Sequence, residues 1–128
     1  MSPGIRRVLD IPVADALNRV RETLGEQGFG VLTEIDIQQT LRTKLGVEVP
    51  PQVILGACNP ALAHRALSAD ASVGLLLPCN VVVRQDDDGR TVVEAVDPAA
   101  LAPAMNSAGL SAVADDARAL LAAAVDAL

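Results

Sequence analysis

The sequence predicts an α+β fold: a two-layer sandwich in which one mainly antiparallel sheet carries amphipathic helices packed on one face. Three observations lead there. β-branched runs alternate with stretches whose apolar residues recur every three or four positions, in the order β-α-β-α-β-α-β-β-α-α. Each helical stretch has a single apolar face, which calls for a sheet to cover it. The Asp88-Gly89 step between two strand-like runs is a hairpin signal, because both residues tolerate positive φ, and it sets a doubly wound parallel sheet aside.

In chain order, residues 5–11 (IRRVLDI) alternate as a first strand. Pro12 opens a helix whose Val13, Leu17, Val20 and Leu24 share a face, with Gly25 and Gly28 ending it. Residues 29–37 (FGVLTEIDI) form a second strand. Asp36 then caps a short helix with Gln39 three positions on; Ile37, Leu41 and Leu45 are its inner face and Gly46 its stop. Residues 52–57 return as a strand, and Asn59-Pro60 is an N-cap followed by a favoured first helical residue, giving a helix over 60–69. Strands over 73–84 and 91–96 flank the QDDDGR turn. Pro98 starts a short helix. After Gly109 a long one follows, with Leu110, Val113, Ala114, Ala117, Leu120, Leu121, Ala124 and Val125 at helical spacing.

Composition bounds the function. The 128 residues suit one domain, 1–128, and 51% hydrophobic content excludes disorder. About a third of that share is alanine, with one phenylalanine and no tyrosine or tryptophan, so the core consists of thin layers of Val, Leu, Ile and Ala. Ten Lys and Arg against sixteen Asp and Glu leave a net charge of −6. Without aromatic platforms or a basic face, nucleic acid is not an expected partner, and the acidity argues against an anionic membrane surface. No apolar run approaches the roughly 20 residues that span a bilayer. Arg6-Arg7 precedes charged residues rather than an apolar core, so it is no export signal; the expected location is cytoplasmic, where two cysteines stay reduced.

Candidate site residues lie where cysteine and asparagine adjoin, at Cys58-Asn59 and Cys79-Asn80. Cys58 sits just before an N-cap, where unpaired N–H groups and the helix dipole favour negative charge and make a thiol a better nucleophile or soft-metal ligand. Cys79 follows Pro78 in an apolar strand, which points to a sheet edge or a bulge. Strands three and four flank helix three, so the two thiols are expected to face a common pocket. The plain alternative is that both are small packing residues. His64, the only histidine, falls on the flank of helix three beside Arg65, either as a surface residue or as a third ligand. Glu34 and Asp36 project to one face of strand two; Asp36 has its capping task, leaving Glu34 as a further ligand-binding candidate. The DDDG run lacks the alternating acids of a calcium loop and reads as a solvated turn. No phosphate-binding glycine loop, CxxC, HExxH or GxSxG is present.

The motifs GFGVLTEIDIQQTL, ILGACNPALAHRAL and GLLLPCNVVV, in this order, resemble the family known as domain of unknown function 302, from about Ile5 to Leu128. The resemblance implies a compact two-layer α+β domain, often paired as a homodimer, and carries no established reaction or catalytic residues. Its hallmark positions here are Gly28, Phe29, Gly56, Cys58, Asn59, Pro60, Leu77, Pro78 and Cys79. Three readings follow. The first is a homodimeric binding module holding a small molecule or soft metal ion near Cys58 and Cys79. Cu(I) or Zn²⁺ suits two thiolates, with His64 as third ligand. The second is a thiol-dependent enzyme or redox protein using Cys58, with the Asn59 and Asn80 amides facing a developing oxyanion. The third is a purely structural dimerising domain.

Overall fold

Five antiparallel strands in the order β1-β5-β4-β3-β2 form the sheet of the computed structural model, which describes residues 4–128. The elements are β1 (Gly4–Leu9), α1 (Val13–Glu26), β2 (Gly30–Asp36), α2 (Ile37–Leu45), β3 (Gln52–Cys58), α3 (Pro60–Ala69), β4 (Cys79–Gln85), β5 (Thr91–Val96), α4 (Pro98–Leu101) and α5 (Leu110–Asp126). Two 3-10 helices, Ala71–Leu76 and Ala102–Met105, join α3 to β4 and α4 to α5. The chain is the α+β fold its patterning predicts.

Alternation along the strands sets the core. In register, Val53, Leu55 and Ala57 of β3 lie opposite Val83, Val81 and Cys79 of β4. Val81 and Val83 in turn oppose Ala95 and Val93 of β5. Residues directly opposite share a face. That face packs against Ala16, Val20 and Leu24 of α1 and Leu121, Ala124 and Val125 of α5 in one buried cluster. Arg7 of β1 reaches the end of α5, its guanidinium donating to the carbonyls of Val125 (3.2 Å) and Asp126 (2.7 Å). It thereby satisfies carbonyls a helix end leaves unpaired and places a cation at the negative pole. A second, smaller cluster, including Ala66, Val73, Ala102, Leu110 and Ala114, extends the helical layer past the end of the sheet.

Three expectations are corrected. The apolar run from Val73 begins as a 3-10 helix, because the Asp70 carboxylate accepts from Ser72 N (2.8 Å) and starts a helical turn; the strand begins only at Cys79. A short apolar run does not by itself separate a strand from a buried helical piece. β4 is therefore not an edge: it lies between β5 and β3, Pro78 precedes its first residue, and the Leu77-Pro78 peptide is cis. The register shift expected near Pro78 falls in β2, between Val31 and Thr33. Finally, Ile37, Leu41 and Leu45 do not form a buried face, for α2 buries no residue and Leu45 is 70% exposed.

The hairpin turn also differs in detail. Asp86 N donates to Arg90 O (2.8 Å), closing a loop of Asp87, Asp88 and Gly89, in which Gly89 alone has positive φ (78°). The Asp86 carboxylate accepts from Asp88 N (3.0 Å) and Arg90 N (2.9 Å), while Asp87 is exposed. Asp86→Ala is expected to cost about 1–2 kcal/mol, as losing a helix cap does. Gly89→Val should cost about 1–2 kcal/mol from strain at positive φ, and Asp87→Ala close to nothing. Urea unfolding of the three variants checks the order. Equal losses at Asp86 and Asp87 would contradict it.

Candidate functional site

A cavity of about 70 Å³ lies at the end of the sheet where the two apolar clusters meet. Its sheet side is Phe29, Ala57 and Cys79, its α3 side Leu62, Ala63 and Ala66, and Val113, Ala114 and Ala117 of α5 line it too. Cys58 and Asn59 complete the wall between β3 and α3. The two thiols are brought to one cavity by the β3–β4 register: Cys79 pairs with Ala57, one residue before Cys58. Both are free and half-buried. The sheet pleat separates their roles. Cys79 shares the helix-facing parity of Ala57 and packs against the main core, whereas Cys58 has the other parity and ends its strand opposite Gly30. Burial pushes the Cys79 thiol up to about 11, with the neighbouring Cys58 adding to the rise.

Asn59 is a structural hinge. Its Oδ1 accepts from Leu62 N (3.3 Å) as the cap of α3, and its Nδ2 donates to Gln27 O (3.3 Å), tying α3 to the turn after α1. That turn passes through Gly28 at φ +83°, where an added Cβ would lie 3.1 Å from Asn59 Nδ2. Any side chain there would press on the amide and adopt a disfavoured backbone. Across the sheet, a Cβ on Gly56 would strike Thr33 Oγ1 and come within 2.8 Å of Pro78 Cγ. The absence of that side chain lets β2 and the segment leading into β4 close over β3. Gly28, Gly56, Asn59 and Pro78 thus hold the cavity's strand and helix ends in place.

The other candidate residues are dispersed. Asn80 is exposed, pairs in register with Gly56 and so faces away from Cys79. An oxyanion site built from the Asn59 and Asn80 amides is not assembled, since the first amide is engaged and the second is on the opposite face. Glu34 lies on the β2 edge strand, ion-paired to Arg21 at 2.9 Å with half its side chain exposed. Asp36 caps α2 through Gln39 N (2.9 Å), as the spacing predicts. His64 is exposed on α3. Among the described residues no three His, Cys, Asp or Glu side chains form a set that could hold a metal ion, so His64 does not complete a metal site with the thiols. The sequence reading missed the far wall, where the 3-10 helices and α5 supply Val73, Leu76, Ala102 and Leu110. The Ala-rich spacing of residues 98–117 was the available signal.

Among the described residues no helix is long and apolar enough to cross a membrane.

Two consequences follow for the thiols. Burial disfavours the Cys79 thiolate, so iodoacetamide should modify Cys58 well before Cys79 in the native protein. Mass spectrometry of the modified peptides reads the order, and Cys79 reacting first would contradict it. Cys79 also carries a pH signature. Its folded value lies above an unfolded thiol's roughly 8.5, so its contribution is complete below that pH and is lost as pH rises through about 11. The chain has no tyrosine and one lysine, which leaves few side chains besides the two thiols to change charge in this range. The fall in urea midpoint from pH 8.5 to 11 should shrink in Cys79→Ala; an unchanged fall would contradict the assignment.

Comparison with known proteins gives a consistent result. The model of the domain of unknown function DUF302 matches residues 5–128. The crystal structure of an uncharacterized conserved DUF302 protein from Bacillus stearothermophilus is similar at 33% identity and a TM-score of 0.92, over 99% of this chain and 98% of that one. No curated protein matches the chain.

Proposed function

We propose a function from one premise: the chain belongs to the domain of unknown function DUF302 family. On that premise the site supports best a binding module, which holds a small ligand in the cavity walled by Cys58, Asn59 and Cys79. The observation that carries this reading is the wall itself. It joins two thiols to a cavity with no His, Asp, Glu, Lys or Arg along it. A thiol-dependent enzyme using Cys58 fits less well, because neither His64 nor Asn80 lines the cavity to serve as its base or second amide donor. A soft metal ion would find two sulfurs and no third ligand, enough for Cu(I) but short of the four a zinc site takes.

The module acts as a homodimer in this reading. Residues 30–50 contain no buried side chain, yet Leu32 (68% exposed), Ile35 (47%), Leu45 (70%) and Val47 (42%) all lie there. A second copy over this β2–α2 surface would cover apolar area that monomers rarely leave exposed. Light scattering at micromolar concentration should give twice the 13.2 kDa chain mass, and Leu32→Lys with Ile35→Lys should halve it. The monomer mass for the unaltered protein would contradict the dimer.

Ligand binding is tested separately with ¹³C-labelled alanine methyls and a panel of small fragments. Saturable shifts confined to Ala57, Ala66 and Ala114, without chemical change to the fragment, are expected. No fragment perturbing these methyls would overturn the binding module.

A further inference from the structure

The cavity is uncharged in every part of its wall, and this narrows what it accepts. Nineteen residues line it, and none is acidic, basic or histidine. Its one carboxamide, Asn59, accepts from Leu62 N through its oxygen and donates to Gln27 O through its amide nitrogen. The N-terminus of α3, which would otherwise attract an anion, is capped by that same oxygen. Charged residues adjoining wall residues in the chain are paired with one another: Arg65 with Asp116 at 2.9 Å and Arg118 with Asp97 at 3.1 Å. Among the described residues no buried side-chain nitrogen or oxygen lacks a partner, so no buried side chain of the wall awaits one from a ligand. A charged or strongly hydrogen-bonding ligand would lose its hydration here without replacement.

Size gives the second limit. About 70 Å³ is roughly half of the ~150 Å³ apolar cavity that admits benzene. It suits a narrow aliphatic group better than a ring. Alanines from four elements, Ala57, Ala63, Ala102 and Ala114, line the space, which larger side chains there would close.

From wall and volume together, we infer that the cavity binds a neutral aliphatic group of about four heavy atoms, the thiol of Cys79 serving as part of an apolar surface. This rests on the binding-module reading and names its ligand class. The group is either a whole small neutral molecule or the end of a longer aliphatic chain.

The test uses the intact protein with 1-butanol, butyrate and butylammonium, matched in length and differing in charge, followed at the alanine methyls. 1-Butanol should bind at least tenfold more tightly than either ion. Ala63→Leu, which fills the space from a half-buried position, should abolish the shifts, and Ala66→Val, a smaller change, should weaken them if the first variant folds poorly. Lengthening the alcohol to hexanol and decanol separates the sources. Affinity rising roughly fourfold per methylene supports the end of a long chain, and affinity level beyond butanol supports a whole small molecule. Ions binding in the cavity as tightly as the alcohol would overturn the ligand class while leaving the binding module intact. No binding by any of the three compounds would overturn the class, and the module would fall with it only if the whole fragment panel also failed.

Discussion

The pairing of β3 with β4 is the constraint on which the remainder depends. These are the central partners of the sheet, and one register decides both the core and the site. With Ala57 opposite Cys79, Val53, Leu55, Val81 and Val83 all face α1 and α5. A slip of one residue would turn Gln52, Ile54, Gly56 and Asn80 to the helices instead. Leu55 and Val83 are wholly buried, so a slip would also lose some of the most secure apolar contacts in the protein. The same register brings Cys79 beside the β3–α3 junction, and through it the two thiols reach one cavity.

The cavity arises from a change in core composition along α5. Toward its C-terminus this helix presents Leu121, Ala124 and Val125 to Val-rich strands, and the layers close. Toward its N-terminus it faces α3 and the 3-10 helices, where small side chains such as Ala66, Ala102, Ala114 and Ala117 meet one another. Alanine brings backbones together but cannot fill an irregular gap between short helices. Interiors pack at crystal-like density, so a remaining void at such a junction is a local departure from the general rule. It lies where Asn59, Gly28 and Gly56 hold the chain in a defined path, which keeps it from collapsing.

Much of this fold was legible in the sequence, and the parts that were not have specific causes. Helix α3 could be read to its ends because Asn59-Pro60 is a local signal, and α5 because its apolar stripe runs along the whole helix. The bounds of β5 and the cap at Asp36 were equally local. The run after Val73 misled because its apolar residues suit either a strand or a buried helical turn, and the deciding contact is a side-chain bond from Asp70 to Ser72. The α2 stripe of Ile37, Leu41 and Leu45 has helical spacing but is only partly covered, Ile37 and Leu41 half-buried and Leu45 exposed, which no periodicity reveals. Arg7 at the end of α5 is 118 positions from Val125 and leaves no local trace. For the site, the Cys58–Asn59–Cys79 neighbourhood followed from topology. That Asn80 and His64 lie elsewhere follows from strand parity and helix facing, and the far wall from packing among alanines distant in sequence.

The central claim is that this space is apolar and open to a ligand, and a crystal pressurised with xenon tests it most directly. Dry apolar cavities take up xenon, whereas polar ones hold ordered water. Xenon should appear between Cys79, Ala66 and Ala114. Ordered waters in that position, or a closed wall with neither water nor xenon, would contradict the account.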